Sequence, residues 1–545
     1  MRTRAQRGAA AGTILLLLAA LGATAQEKTD QGYVGFGADS VSPEALARFA
    51  PPPIDPQLRA RVERTMDIRS PGAGRLAPDG ETLFFTWGVT GTTQIWRVDE
   101  PKGFPVQMTG GEDSSRLLDI TPDGRYLIIS RDSSGDEQFG LYLQPTEGGE
   151  LRTIFKGHKV RAGYEFVTDD SRSVYYRAND VRPDSYTIYR YDVEQGERET
   201  VFDREGLWVV ADFEPDRGFL LSRLKGNLYA DHFLWKEGSD ALQPILGQDE
   251  MVEYGVAFAA NDDEYVVHTN KFGEFRRLYR YRGGEFTPLS PELAHDVADF
   301  SIDDARKRIY YSVNRNGYYG AAVIDATTLE PVEMPALPEA EQVYFGSTTR
   351  DGRATTISLE TARAPAAAYV YDWKTARLTQ WVVPSTPEVD TSRFVRAELD
   401  GYPARDGTEV PMFVWRSDDC RKRACPVIVN FHGGPESQAR PGFSPTTQLF
   451  VDAGFVYVRP NVRGSDGYGK AWLDADNGSA RLDVLSDIED CALHIRKAWA
   501  RDGEAPKIGI YGGSYGGYST LVGMTIYAGA YDAGVAVVGM SNLLT

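Results

Sequence analysis

Acidic turns recur through the first two-thirds of the chain at a nearly constant interval. They are Pro78-Asp79-Gly80, Pro122-Asp123-Gly124, Asp169-Asp170-Ser171, Pro215-Asp216-Arg217, Asn261-Asp262-Asp263, Asp303-Asp304-Ala305 and Arg350-Asp351-Gly352. Successive aspartates (79, 123, 170, 216, 262, 304, 351) lie 44, 47, 46, 46, 42 and 47 residues apart. Asp, Asn, Gly and Pro initiate turns through side-chain hydrogen bonds to the backbone or preset dihedrals. After each turn comes a β-rich run such as Tyr126-Leu127-Ile128-Ile129. An alternating aromatic run then follows, for example Ile188-Tyr189-Arg190-Tyr191 or Leu278-Tyr279-Arg280-Tyr281. A period this long, with several strands per unit, predicts β-propeller blades. A β-helix needs a much shorter period, and a helical solenoid needs an apolar spacing of 3.6 that is absent here. The turns predict about seven blades over residues 68–384.

A chain of 545 residues exceeds one core, and its texture changes past residue 385. Phe413-Val414-Trp415, Val427-Ile428-Val429-Asn430-Phe431, Phe455-Val456-Tyr457-Val458 and Ile508-Gly509-Ile510 are short apolar runs, the last three continuous enough for strands buried on both faces. Between the last two lies a predicted helix, opened by a Ser486/Glu489 capping box, with Ile488, Ala492, Ile495 and Trp499 on one stripe. Alternating strand and helix predicts a parallel α/β sheet over 385–545.

Ahead of both domains, residues 1–25 read as a secretory signal: Arg2, Arg4 and Arg7, then Ile14-Leu15-Leu16-Leu17-Leu18, then Ala23-Thr24-Ala25 before Gln26. The chain is therefore expected to be exported, to the periplasm or outside the cell. In 26–67, Ser42-Pro43-Glu44 and Asp55-Pro56-Gln57 each place a capping residue before a proline that opens a short helix. A formal charge of −19 argues against nucleic-acid and anionic-membrane partners. Cys420 and Cys425 are spaced for a small disulfide, Cys491 is expected to be a buried thiol, and no spacing suggests a metal or cofactor.

The chemistry is concentrated at Gly512-Gly513-Ser514-Tyr515-Gly516, where an apolar strand runs into glycines, presents one serine and leaves into a helix-like stretch. This is the G-x-S-x-G nucleophile elbow, in which a tight strand-to-helix turn exposes the serine. Gly512 and Gly516 are required because a Cβ there would collide with neighbouring backbone. Phe431-His432-Gly433-Gly434-Pro435, directly after an earlier strand, is a second glycine turn. Acyl transfer needs two fixed donors for the developing oxyanion, and the natural pair is the amides of Tyr515 and Gly434. A third turn, Asn461-Val462-Arg463-Gly464-Ser465-Asp466-Gly467-Tyr468-Gly469, reads equally as a pocket rim or as a structural turn with an arginine bridge.

Taken in order, the propeller and these three turns resemble the prolyl oligopeptidase family of serine peptidases, particularly its dipeptidyl-peptidase and acylaminoacyl-peptidase-like branches. The resemblance implies Ser514 as nucleophile, Tyr515 and Gly434 as oxyanion amides, and a propeller that admits only short or unfolded peptides. Other branches place a tyrosine side chain near the first turn. His432 stands there instead, so only the backbone role carries over. In this architecture the acid and histidine follow the serine, yet 31 residues follow Ser514 and all six histidines (158, 232, 268, 295, 432 and 494) precede it. Asp532 precedes a strand rather than ending one. The expectation is a serine peptidase whose α/β-hydrolase domain is C-terminally truncated, lacks the triad Asp and His, and is impaired. A catalytically dead propeller-based binding protein and an esterase using the same serine are the alternatives.

Overall fold

The computed structural model describes residues 42–50, 52–135, 137–386 and 388–541, so the secretory segment read at 1–25 lies outside the described residues. The chain divides into compact units 1–59 and 60–545. In the first, the helix Pro43–Phe49 is capped by Ser42, whose hydroxyl accepts from the Ala45 amide at 3.2 Å. The helix Pro56–Met66 begins with the Asp55 carboxylate accepting from the amides of Gln57 and Leu58, both at 2.9 Å.

The helix Pro56–Met66 runs into the second unit, which then holds antiparallel four-stranded meanders over 75–107, 115–155, 162–202, 207–246 and 254–288. An eight-stranded sheet over 296–382 follows, made of two more meanders joined through Tyr319 and Gln342. Every acidic turn connects the first two strands of a meander, and the repeat is chemical as well as metrical. Thr121 donates to Asp123 at 2.7 Å and the carboxylate accepts from the Arg125 amide at 3.1 Å. Thr168, Asp170 and Arg172 repeat this at 2.6 and 3.0 Å, and Thr349, Asp351 and Arg353 at 2.7 and 2.9 Å. These bonds stabilise the ionised carboxylates and hold Asp123, Asp170 and Asp351 below the usual range. Apolar residues fill the space between meanders. Leu83, Phe85 and Trp87 of the first share a cluster with Ala368, Val370 and Trp381 of the last, and Thr356 donates to the Gly74 carbonyl at 3.0 Å. That packing of last on first is what a propeller requires.

The hydrolase sheet has six strands in the spatial order Glu398–Pro403, Glu409–Trp415, Val456–Pro460, Val427–Phe431, Ile508–Gly513 and Ala533–Val537. Its last four strands are mutually parallel. Val427, Val429, Val458, Ile508 and Ile510 form the core with Ile488, Ala492 and Ile495 from the helix Ser486–Ala498, as the stripe predicted. The capping box does not form. Ala480 and Leu485 are already helical, so Arg481–Val484 runs into Ser486–Ala498 and no free helix start exists at Ser486. Its hydroxyl donates to the Asp483 carbonyl, and Glu489 pairs with Arg405. Cys420 and Cys425 are bridged and Cys491 is buried.

Candidate active site

The strand Ile508–Gly513 ends at Ser514, and the helix Tyr515–Thr525 begins one residue later. Ser514 has φ 55° and ψ −119°, a costly backbone for a residue with a side chain, and it is exposed. The turn survives because its neighbours tolerate nothing larger than glycine. A Cβ on Gly512 would lie 2.2 Å from the Gly516 carbonyl oxygen, and one on Gly516 would lie 2.1 Å from that of Phe431. The Ser514 amide is tied to the Val537 carbonyl at 3.0 Å. Tyr515 opens the helix, so its amide has no intrahelical carbonyl to bond.

The turn after Phe431 lies against this elbow. A Cβ on Gly433 would come 3.5 Å from the Ser514 Cβ, and Gly434 has φ 129°, open to glycine alone. Ser514, Tyr515 and the Gly433–Gly434 turn are thus brought together. His432 makes no hydrogen bond to the serine. Its Nδ1 lies 2.7 Å from the Gly433 carbonyl oxygen and its Nε2 2.9 Å from the Ser465 hydroxyl. Burial pushes its pKa down to about 4, so the ring is neutral.

The other histidines are placed elsewhere. His232 lies 2.8 Å from the Ser222 hydroxyl and 3.1 Å from the Tyr254 carbonyl within the propeller. His268 bonds the Val297 carbonyl at 2.6 Å, while His158 and His295 belong to the same domain. His494 sits beside the Tyr402 ring. Asp532 accepts from the Ile508 amide at the far end of the serine strand. Six residues of strand separate that point from Ser514, roughly 20 Å.

Arg463 resolves the third turn towards structure: it bridges fully buried Asp487 and exposed Asp406. The next residues of that turn meet the propeller, where Asp466 pairs with Arg276, itself held by Asp296 and Glu253. Three features escaped the sequence reading. Asp476, almost fully buried, accepts from the Tyr515 hydroxyl at 3.2 Å and pairs with Arg481. Arg440 and Arg459 stand beside the His432 turn. Only the charge of Arg459 inside an apolar strand could have signalled any of this. Among the described residues, no metal-ligating cluster occurs and no helix is long and apolar enough to cross a membrane.

Comparison with known proteins follows the same lines. Residues 441–545 match the model of the prolyl oligopeptidase family. Over 504 residues the chain is 25% identical to dipeptidyl aminopeptidase BIII of Pseudoxanthomonas mexicana, covering 86% of this chain and 70% of that protein. Dipeptidyl peptidase family member 6 of Caenorhabditis elegans is 37% identical over 123 residues, 22% of this chain and 16% of that protein. Among solved structures, a prolyl endopeptidase superposes with a TM-score of 0.75 at 20% identity, covering 91% of this chain and 76% of that one. Prolyl oligopeptidase B from Galerina marginata, bound to a 35-residue substrate, superposes with a TM-score of 0.75 at 16% identity, covering 90% and 75%.

Proposed function

We propose that this chain is a peptidase of the prolyl oligopeptidase family and that it cleaves short peptides through an acyl-enzyme on Ser514. The observation that carries the assignment is the elbow itself: an exposed serine at φ 55° between two glycines that touch backbone, facing the Gly433–Gly434 turn. Attack by the Ser514 hydroxyl on a substrate carbonyl would place the oxyanion between the amides of Tyr515 and Gly434, donors whose positions are fixed before reaction. The hydroxyl proton must pass to a base. None of the six histidines is hydrogen-bonded to Ser514, so we propose that these 545 residues turn over slowly. The propeller, read as seven blades from its seven meanders, would exclude folded proteins. Export is proposed from the 1–25 pattern and is supported by the Cys420–Cys425 bridge, which suits an oxidising compartment.

The test is digestion of a short-peptide mixture followed by mass spectrometry, run beside the Ser514→Ala variant. Slow cleavage of the peptides, sparing of a folded protein and loss of peptide cleavage in the variant are expected. Cleavage that survives in Ser514→Ala refutes the assignment.

A further inference from the structure

Two arginines beside the serine's turn have no anion to answer them. Arg440 follows the His432 turn by eight residues, and Arg459 lies in the strand Val456–Pro460. Arg440 lies over the Tyr319 ring at 4.3 Å and donates to the Tyr344 hydroxyl at 3.2 Å. Arg459 donates to the Arg440 carbonyl at 3.5 Å. In both, the Nε is buried without a hydrogen-bond partner. The charges acting on Arg459 are those of Tyr457 and Arg440, and burial lowers its pKa, as expected of a guanidinium enclosed without a counter-ion. The carboxylate whose charge acts on Arg440 is Asp466, which is already committed to Arg276.

Buried charges are ordinarily paired, because an enclosed guanidinium has lost its water and gained nothing. Both residues are half-buried rather than sealed. Each guanidinium is thus enclosed by protein on most sides while its side chain keeps some accessible surface. The pair lies near the serine's turn: the charge of Arg459 acts on His432, and Gly433, the next residue, stands against Ser514. The propeller contributes Tyr319 and Tyr344, and the stacked Tyr319 ring holds the Arg440 fork in one orientation with N–H groups to spare.

We propose that Arg440 and Arg459 form a subsite that binds a carboxylate of the peptide substrate beside Ser514. The inference rests on the peptidase reading. The carboxylate comes either from the peptide's C-terminus or from an acidic side chain, and the two share one chemistry: a planar anion matched to a guanidinium fork.

Calorimetric titration of the full chain carrying Ser514→Ala tests it with four small peptides. They are N-acetyl-alanyl-alanine, its C-terminal amide, N-acetyl-alanyl-glutamate amide and N-acetyl-alanyl-glutamine amide. At least one carboxylate-bearing peptide is expected to bind about ten- to hundredfold more tightly than its neutral partner. The pair that shows the preference identifies the source of the carboxylate. Arg459→Gln should remove the preference and Arg459→Lys should retain part of it. If Arg459→Gln fails to fold, Arg440→Gln serves, and the wild-type arginine pair is in any case read by the peptides alone. Equal binding of all four overturns the subsite and leaves the peptidase reading intact. Binding of none overturns both.

Discussion

In the propeller each strand pairs mainly with its neighbour in sequence, whereas in the hydrolase domain the serine strand Ile508–Gly513 pairs with Val427–Phe431 from 81 residues earlier. The propeller is built from short loops closed by local turn chemistry, repeated with small variations. The hydrolase site is built where distant backbones meet with no spare room. A repeated local unit tolerates change at one position, while a site made by long-range contact fails at single atoms. That contrast can be broken or sharpened by experiment.

The largest expected effect is a matched glycine substitution. Gly516→Ala drives a Cβ to within 2.1 Å of the Phe431 carbonyl oxygen. It should destabilise the hydrolase domain by about 4 kcal/mol and abolish labelling of Ser514. Gly124→Ala in a propeller turn has φ 73° and nothing nearer than 3.6 Å, and should cost about 1 kcal/mol. Denaturant titration of both variants decides. Similar losses would erase the contrast.

Next comes Asp487→Ala. It strands Arg463 without the buried carboxylate that holds it and should cost about 3 kcal/mol in the hydrolase transition. The propeller transition, followed by its own fluorescence change, should not move.

Acid should affect both domains, with the propeller the more sensitive. Burial holds His232 and His268 in the propeller, and His432 in the hydrolase domain, at a pKa of about 4. Their unfolded-state value is near 6.5. Between those values the unfolded chain takes up protons that the folded chain refuses, so stability is full above about pH 6.5 and falls as pH drops towards 4. The steepest loss is about 1.4 kcal/mol per pH unit for each histidine. Denaturant titrations at pH 7 and pH 5 check this, and a stability that does not change with pH contradicts it.

The smallest effect concerns the exposed strand Ala533–Val537 at the sheet edge. Val535→Lys should change folding stability by no more than about 0.5 kcal/mol and should lower aggregation measured by light scattering.

How much of this was legible in the sequence follows the same divide. The propeller could be read because each Thr-x-Asp turn carries its own cause within five residues. The elbow could be read because glycines are demanded at fixed offsets around Ser514. The Ser486/Glu489 box misled because a local pattern cannot show that a helical segment already runs into it from Arg481. Arg440, Arg459 and Asp476 could not be placed, since their meaning lies in what distant strands bring beside them. A charge in an apolar strand signals an exception without naming its partner.

The central claim is that Ser514 is a positioned nucleophile to which, among the described residues, no histidine is hydrogen-bonded. Timed labelling of the intact protein with a fluorophosphonate probe, read by peptide mapping, tests it most directly. The account expects slow modification confined to Ser514 and absent from Ser514→Ala. Labelling at the speed of a serine peptidase whose serine is hydrogen-bonded to a histidine base, or at another residue, would contradict it.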